Sequence, residues 1–166
     1  MLFRSLAAAA TVRIGNQLGK RDWPNLRRVG QSALLMSVVL MSGSAGVFLG
    51  FNYYLPQLYV DELPVIEVAA SLLVVAAFFQ LSDGIQAVAL GILRGMADVK
   101  IPTLITLLAY WGVGLPMAYL LAFTLGWGPE GVWVGLLVSL TVAAVLLVRR
   151  FRRLSRGRRV AAVGSR

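Results

Sequence analysis

Four long apolar stretches follow one another along this chain, with only short polar segments between them. They lie at about residues 31–51, 65–93, 103–125 and 131–148, and are named here spans A to D. Each reaches or approaches the roughly 20 helical residues that cross a hydrocarbon core of about 30 Å. Because 58% of the residues are hydrophobic and only 14% are charged, the sequence predicts an all-α, polytopic membrane helix bundle with four full transmembrane helices.

The basic residues alternate from one connecting segment to the next. Five of the sixteen lie in residues 13–30, two lie between spans B and C, and eight follow span D, whereas the other two loops carry none. Basic residues accumulate in cytoplasmic segments. The pattern predicts a cytoplasmic C-terminus and places Asp61, Glu62, Glu67 and Glu130 at the outer face. We interpret the basic tail, residues 149–166, as topogenic charge that contacts anionic membrane lipids, and we expect no nucleic-acid partner.

A carboxylate lies in the middle of the longest apolar stretch. Asp83, within QLSDGIQAVALGILRG, costs about 2.5 to 3.5 kcal/mol at the centre of a membrane helix on insertion scales, so such an acid is a candidate functional residue. A loop at this point would move all later basic residues to the other side of the membrane. The charge pattern therefore favours one long helix, while a re-entrant break at Ser82–Gly84, which keeps the sides unchanged, stays open.

Polar and aromatic side chains accompany Asp83. Residues three or four positions apart lie on one face of a helix, so Asp83 is expected to share a stripe with neighbours in span B. Two interpretations are open: an interhelical hydrogen-bond cluster that fixes packing, or a cation or proton site in a water-filled cavity. Two adjacent aromatic residues in span C either fill space or bind flat cations. The candidate cavity-lining residues are Phe79, Gln80, Gln86, Tyr110 and Trp111.

Small residues recur every four positions in spans A and D, and such faces favour close helix contact in membranes. In span C, Gly112, Gly114 and Pro116 predict a kink. The two small-residue series are Ser42, Gly46 and Gly50 in span A, and Gly131, Gly135, Ser139 and Ala143 in span D.

The chain contains no histidine and no cysteine. HExxH metal sites, Ser–His relays and cysteine nucleophiles therefore have no residues to build them. An intramembrane aspartyl protease needs two acids, and Asp83 is the one acid that lies deep in a span. The sequence predicts neither an enzyme nor a cofactor.

Three segments carry a family resemblance. ATVRIGNQLGKRD, QLSDGIQAVALGILRGMADVKIP and AYWGVGLPMAYLLAFTLGWGPEGVW resemble, in order and spacing, the signatures of the multidrug and toxic compound extrusion (MATE) family, NorM-type bacterial branch. The resemblance implies that residues 1–12 end the eighth family helix and that spans A to D are helices nine to twelve, part of the C-terminal lobe of a twelve-helix transporter. Such proteins exchange Na⁺ or H⁺ for organic cations by alternating access. It also implies that Asp83 binds the coupling proton or cation, with Na⁺ as the one candidate metal.

The resemblance covers the C-terminal portion of such a transporter. Residues 1–166 are then a single transmembrane region of the bacterial inner membrane, expected to be inactive alone, and its partners are the missing N-terminal lobe, drugs or organic cations, and membrane lipids. Two alternatives stay open. One is a related flippase-superfamily exporter of a lipid-linked or polar metabolite, and the other is a non-transporting packing subunit or inert truncation.

Overall fold

The computed structural model describes residues 2–163 of the chain, and the side chains of residues 4–156. Throughout this part of the chain the regular structure is helical. Between α5 and α6, and again after α6, the helix continues as a π-helical turn, at Ala109–Gly114 and at Leu120–Thr124. The helices are α1 (Leu2–Gly19), α2 (Trp23–Gly50), α3 (Tyr54–Gln57), α4 (Leu63–Gly95), α5 (Lys100–Leu108), α6 (Leu115–Tyr119) and α7 (Gly128–Val163).

Four helices are long and apolar enough to cross a membrane: Trp23–Gly50, Leu63–Gly95, Lys100–Thr124 and Gly128–Arg156. These are spans A to D, and the predicted all-α bundle is confirmed. The helix that precedes span A extends to Gly19, beyond the predicted residues 1–12. The helices extend beyond the apolar stretches because their polar ends are also good helix formers and caps. At the start of α2, for example, the Asp22 carboxylate accepts a hydrogen bond from the backbone N–H of the third helical residue, at 3.2 Å.

Span B is one uninterrupted helix. All 33 residues of α4 are helical, including Ser82–Gly84, so the alternative of a re-entrant break is wrong. At 1.5 Å per residue the helix is about 50 Å long, and Asp83 lies about 18 Å from its C-terminal end. A carboxylate at this depth is far from both ends of the helix, as the sequence predicted.

The helix α4 is the centre of the bundle, because α1, α2 and α7 all pack against it. Its contact with α1 is especially close. A Cβ atom added at Gly91 would lie 2.5 Å from the Ala7 carbonyl oxygen, and one at Gly95 would lie 2.6 Å from the Thr11 carbonyl oxygen. The Thr11 hydroxyl donates a hydrogen bond of 2.9 Å to the Gly91 carbonyl. Two glycines on α4 therefore allow α1 to lie directly on its backbone.

The predicted small-residue face of span D is confirmed. Gly131 and Gly135 lie against the backbone of Leu121, Ala122 and Ala118 in span C, and further along α7 the residues Ser139 and Ala143 are fully buried. Close backbone approach of this kind supplies the packing energy that a hydrophobic effect cannot supply between helices in lipid.

The corresponding face of span A has no partner in the described part of the chain, so its role in close helix contact stays a prediction. Gly46 and Gly50 have no atom within 4 Å of an added Cβ, and Ser42 is exposed. Instead, α2 contacts α4 through Ser37 and Met41, both of which pack against Gly84. Small residues permit a close contact, but the residue opposite them decides whether it forms.

The kink predicted in span C corresponds to an irregularity of another kind. The π-helical turn Ala109–Gly114 contains two of the three residues on which the prediction rested, and Pro116 follows it in the first turn of α6. Proline has no backbone N–H and cannot complete the regular hydrogen-bond pattern with the preceding turn. A locally widened turn is one way in which a helix accommodates this loss.

Candidate functional site

Asp83 lies in a groove of about 730 Å³ between α1 and α4. Its side chain is partly buried and accepts no hydrogen bond from any residue whose side chain the structure describes. An acid in this position has oxygen lone pairs that remain available to a proton, a metal cation or water. The groove is lined by Arg4, Ala7, Ala8, Thr11, Val12, Asp83, Ala87, Leu90, Gly91 and Arg94.

Two arginines line the same groove as the acid. Arg94 belongs to the last turn of α4, eleven residues and therefore about 16 Å beyond Asp83 along the helix axis. Arg4, near the start of α1, interacts electrostatically with Asp83. A cation that binds the carboxylate would therefore compete with the Arg4 guanidinium for the same negative charge. Nothing in the sequence predicted this role, because Arg4 lies outside the cluster of basic residues at 13–30 and forms no motif with Asp83.

The polar residues around Asp83 bond to different neighbouring helices. One amide of α4 bonds to α2, the other to the first π-helical turn of span C, and a serine bonds to α7. This geometry matches the packing interpretation for these side chains, since each bond joins two helices. The bonds are Ser44 Oγ to Gln80 Oε1 at 3.0 Å, Tyr110 Oη to Gln86 Oε1 at 2.9 Å, and Ser82 Oγ with Thr141 Oγ1 at 2.9 Å.

The two other aromatic candidates lie elsewhere on the bundle. Phe79 makes an edge-to-face contact with Trp133 of α7, with ring centroids 5.8 Å apart, and Trp111 is 68% exposed on the outer surface of span C. The helix geometry explains this distribution. With 3.6 residues per turn, residues 79, 80 and 86 are rotated by about 40 to 60° from Asp83, which is enough to direct them at adjacent helices. Their role as cavity-lining residues in a larger transporter stays a prediction.

Charged contacts also stabilise the two ends of the bundle. At one end the Glu130 carboxylate, in the first turn of α7, accepts a hydrogen bond from the Ser71 hydroxyl of α4. At the other end Arg150 donates two hydrogen bonds to Asp98, of 2.5 and 3.1 Å, in a bidentate ion pair. The pair joins the loop between spans B and C to the basic continuation of span D, and it lies at the end that the charge pattern assigns to the cytoplasm.

Comparison with known proteins relates the chain to a group of membrane transporters. A family model described as MatE matches residues 1–120. A "Probable multidrug resistance protein NorM" from Xylella fastidiosa (strain 9a5c) is 41% identical over 152 residues, which are 92% of this chain and 32% of the relative. The NorM protein from Rhodopseudomonas palustris (strain ATCC BAA-98 / CGA009) is also 41% identical, over 169 residues, 99% of this chain and 36% of the relative.

A solved structure agrees with the fold. The crystal structure of the eukaryotic MATE transporter AtDTX14 superposes with a TM-score of 0.82 and 27% identity, over 96% of this chain and 37% of that chain. The chain thus spans about a third of the length of the curated relatives that it matches.

Proposed function

This chain belongs to the MatE family, and from that membership we propose that it forms part of a multidrug efflux transporter in a bacterial inner membrane. The proposed activity is antiport, in which drugs or organic cations leave the cell in exchange for Na⁺ or H⁺. This activity belongs to a complete transporter, and the chain corresponds to about a third of the length of its relatives. We propose that helices equivalent to their other two thirds complete the transporter, and that residues 1–166 alone export nothing.

The observation that carries the proposal is the acid in the α1–α4 groove. Asp83 is deep in the longest span, faces a space of about 730 Å³, and keeps its carboxylate free of hydrogen bonds from the described side chains. Structural acids in membranes are usually paired or fully bonded, whereas acids on an ion pathway must exchange partners. Asp83 would bind the coupling ion, and Arg4 would take its place as the neighbouring charge when the ion leaves.

The side-chain amides near Asp83 have a structural role that differs from the role proposed for the carboxylate. Gln80 and Gln86 hold α4 against α2 and span C, so the helix that carries Asp83 is kept at a fixed rotation while the carboxylate itself is available. The second candidate, a non-transporting packing subunit, draws on the same bonds. The two functions differ in what they require of Asp83: a titratable and charged group for antiport, but only a hydrogen-bonding shape for packing.

A chimera tests the antiport proposal. Residues 1–166 would replace the C-terminal third of the Rhodopseudomonas palustris relative, in cells without other drug pumps, and ethidium efflux would be followed by fluorescence. Asp83→Asn preserves the shape of the side chain but removes its charge and its titration. We expect normal expression with loss of efflux, whereas Glu67→Gln, which neutralises an exposed acid of the same helix, should retain it.

The unmodified relative is the positive control, and membrane levels are compared by immunoblot. Removing Na⁺ from the medium or adding an uncoupler then identifies the coupling ion. Wild-type efflux by a well-expressed Asp83→Asn chimera would rule out the coupling role and favour the packing function.

A further inference from the structure

A second groove, between α1 and α2, combines two cationic side chains with an apolar wall. Its volume is about 500 Å³, and it is separate from the groove that holds Asp83. Arg13, Arg28 and Ser32 form its polar part, and its apolar part includes Leu6 of α1 and Met36 of α2. A groove of this composition suits a ligand with an anionic end and a hydrocarbon end.

The polar and apolar parts of the groove lie at different depths. The chain turns between the end of α1 at Gly19 and the start of α2 at Trp23, and both arginines lie five or six residues from that turn. At 1.5 Å per residue they are level with each other, about 8 Å below the turn. Met36 is eight residues further along α2, about 12 Å deeper. Because the apolar stretch of span A begins at about residue 31, we expect the arginines at the boundary between headgroups and hydrocarbon and the apolar wall in the hydrocarbon layer.

The charge of this groove is not balanced within the described part of the chain. No acid is among its lining residues, and neither Arg13 nor Arg28 forms an ion pair with an acid whose side chain is described. Asp22, the acid in the turn between the two helices, is engaged by the backbone N–H and the side-chain amide of Asn25. Two guanidinium groups at the edge of the hydrocarbon layer favour an anionic partner that is itself anchored in lipid.

We propose that this groove is a binding site for an anionic phospholipid. The lipid phosphate lies between Arg13 and Arg28, and one acyl chain follows the apolar wall towards Met36. Arginine binds phosphate oxygens through several N–H donors at once, and the apolar wall gives the same ligand a second contact that free phosphate cannot make. This site is independent of Asp83 and of the antiport proposal, since none of its residues lines the groove that holds Asp83.

Native mass spectrometry of the chimera described above, in which residues 1–166 are joined to the rest of the transporter, tests the proposal in detergent. The protein would be titrated with phosphatidylglycerol and with phosphatidylcholine of identical acyl chains. Each basic side chain near an anionic lipid changes affinity by about fivefold, so Arg13→Gln with Arg28→Gln should weaken phosphatidylglycerol binding by roughly thirtyfold. The double variant Arg152→Gln with Arg153→Gln removes the same charge from exposed positions of α7 and should change binding little.

Two tryptophan substitutions distinguish lipid binding in the groove from lipid binding to a diffuse basic surface. Ser32→Trp places an indole in the groove and should abolish the preference for phosphatidylglycerol, whereas Gln31→Trp, at the adjacent exposed position outside it, should not. Circular dichroism verifies that each variant remains helical.

Equal binding of the two lipids by the chimera without these substitutions would overturn the proposal. It would also be overturned if both charge variants lost affinity equally, which indicates a non-specific basic surface, or if glycerol phosphate competed as well as the lipid, which indicates a soluble anion. If no lipid binds because another polypeptide segment fills the groove, the proposal is likewise wrong.

Discussion

The packing of α1 on α4 predicts how much stability is lost when a single methyl group is added at Gly91. Gly91→Ala would place a Cβ atom 2.5 Å from the Ala7 carbonyl oxygen and 3.1 Å from the Thr11 hydroxyl. An ordinary contact between carbon and a carbonyl oxygen is about 3.3 to 3.6 Å, so α1 must move away by roughly 1 Å. Overpacking of this kind costs about 1–3 kcal/mol, and the Thr11 hydrogen bond to Gly91 would lengthen as well.

The same substitution at an open position supplies the control. Alanine is favoured over glycine within a helix by about 0.5–1 kcal/mol, and this gain applies equally to Gly46→Ala, which meets no atom within 4 Å. The difference between the two variants therefore isolates the steric cost. We expect Gly91→Ala to be less stable than Gly46→Ala by about 1–3 kcal/mol.

Thermal unfolding in detergent micelles, followed by circular dichroism, would measure this difference. A cysteine pair across α1 and α4 provides a second readout, because the chain has no native cysteine and cross-linking should slow when the helices separate. If Gly91→Ala proved as stable as Gly46→Ala, with unchanged cross-linking, the close docking of α1 on the α4 backbone would be refuted.

Two further predictions concern the ends of the bundle. Arg150→Ala removes both hydrogen bonds to Asp98 and should lower the free energy of unfolding by about 2–3 kcal/mol, since hydrogen bonds to charged groups contribute about 1.5–3 kcal/mol. Arg149→Ala, at the exposed neighbouring position, should change it little, and equal effects in a chemical unfolding titration would contradict the role of the pair. For orientation, a single cysteine at the exposed position Gln57 should react with an impermeant thiol reagent outside intact cells, and one at the exposed position Val99 should not; the reverse result would invert the topology.

Hydropathy was sufficient to locate the spans because the cost of exposing backbone and polar groups to lipid is large and local. It placed the start of span B near its observed position but that of span A at residue 31 rather than Trp23. The missed turns carry Arg27 and Arg28, which lower the local hydropathy without interrupting the helix.

Which residues of different helices lie together was less predictable than the position of each span. The depth of Asp83 follows from its place in the sequence, but the presence of Arg4 in the same groove depends on how α1 docks, and it brings together residues 79 positions apart. The same limit applies to glycine. Gly131 and Gly46 belong to similar repeats, yet one meets a backbone and the other meets no atom within 4 Å, since a small residue removes an obstacle without specifying the neighbour.

The π-helical turns of span C change which of its side chains lie on the same face of the helix. Each closes its hydrogen bonds over five residues rather than four and so accommodates one additional residue, which shifts every later side chain by about 100° relative to a regular helix. Gly114, at the end of the first π-helical turn, meets Ser139 of α7, and Ala118, after that turn, meets Gly135. Span C therefore behaves as three helical segments with separate phases, and deletion of one residue from either turn would rotate the following segment away from α7 while leaving its hydropathy almost unchanged.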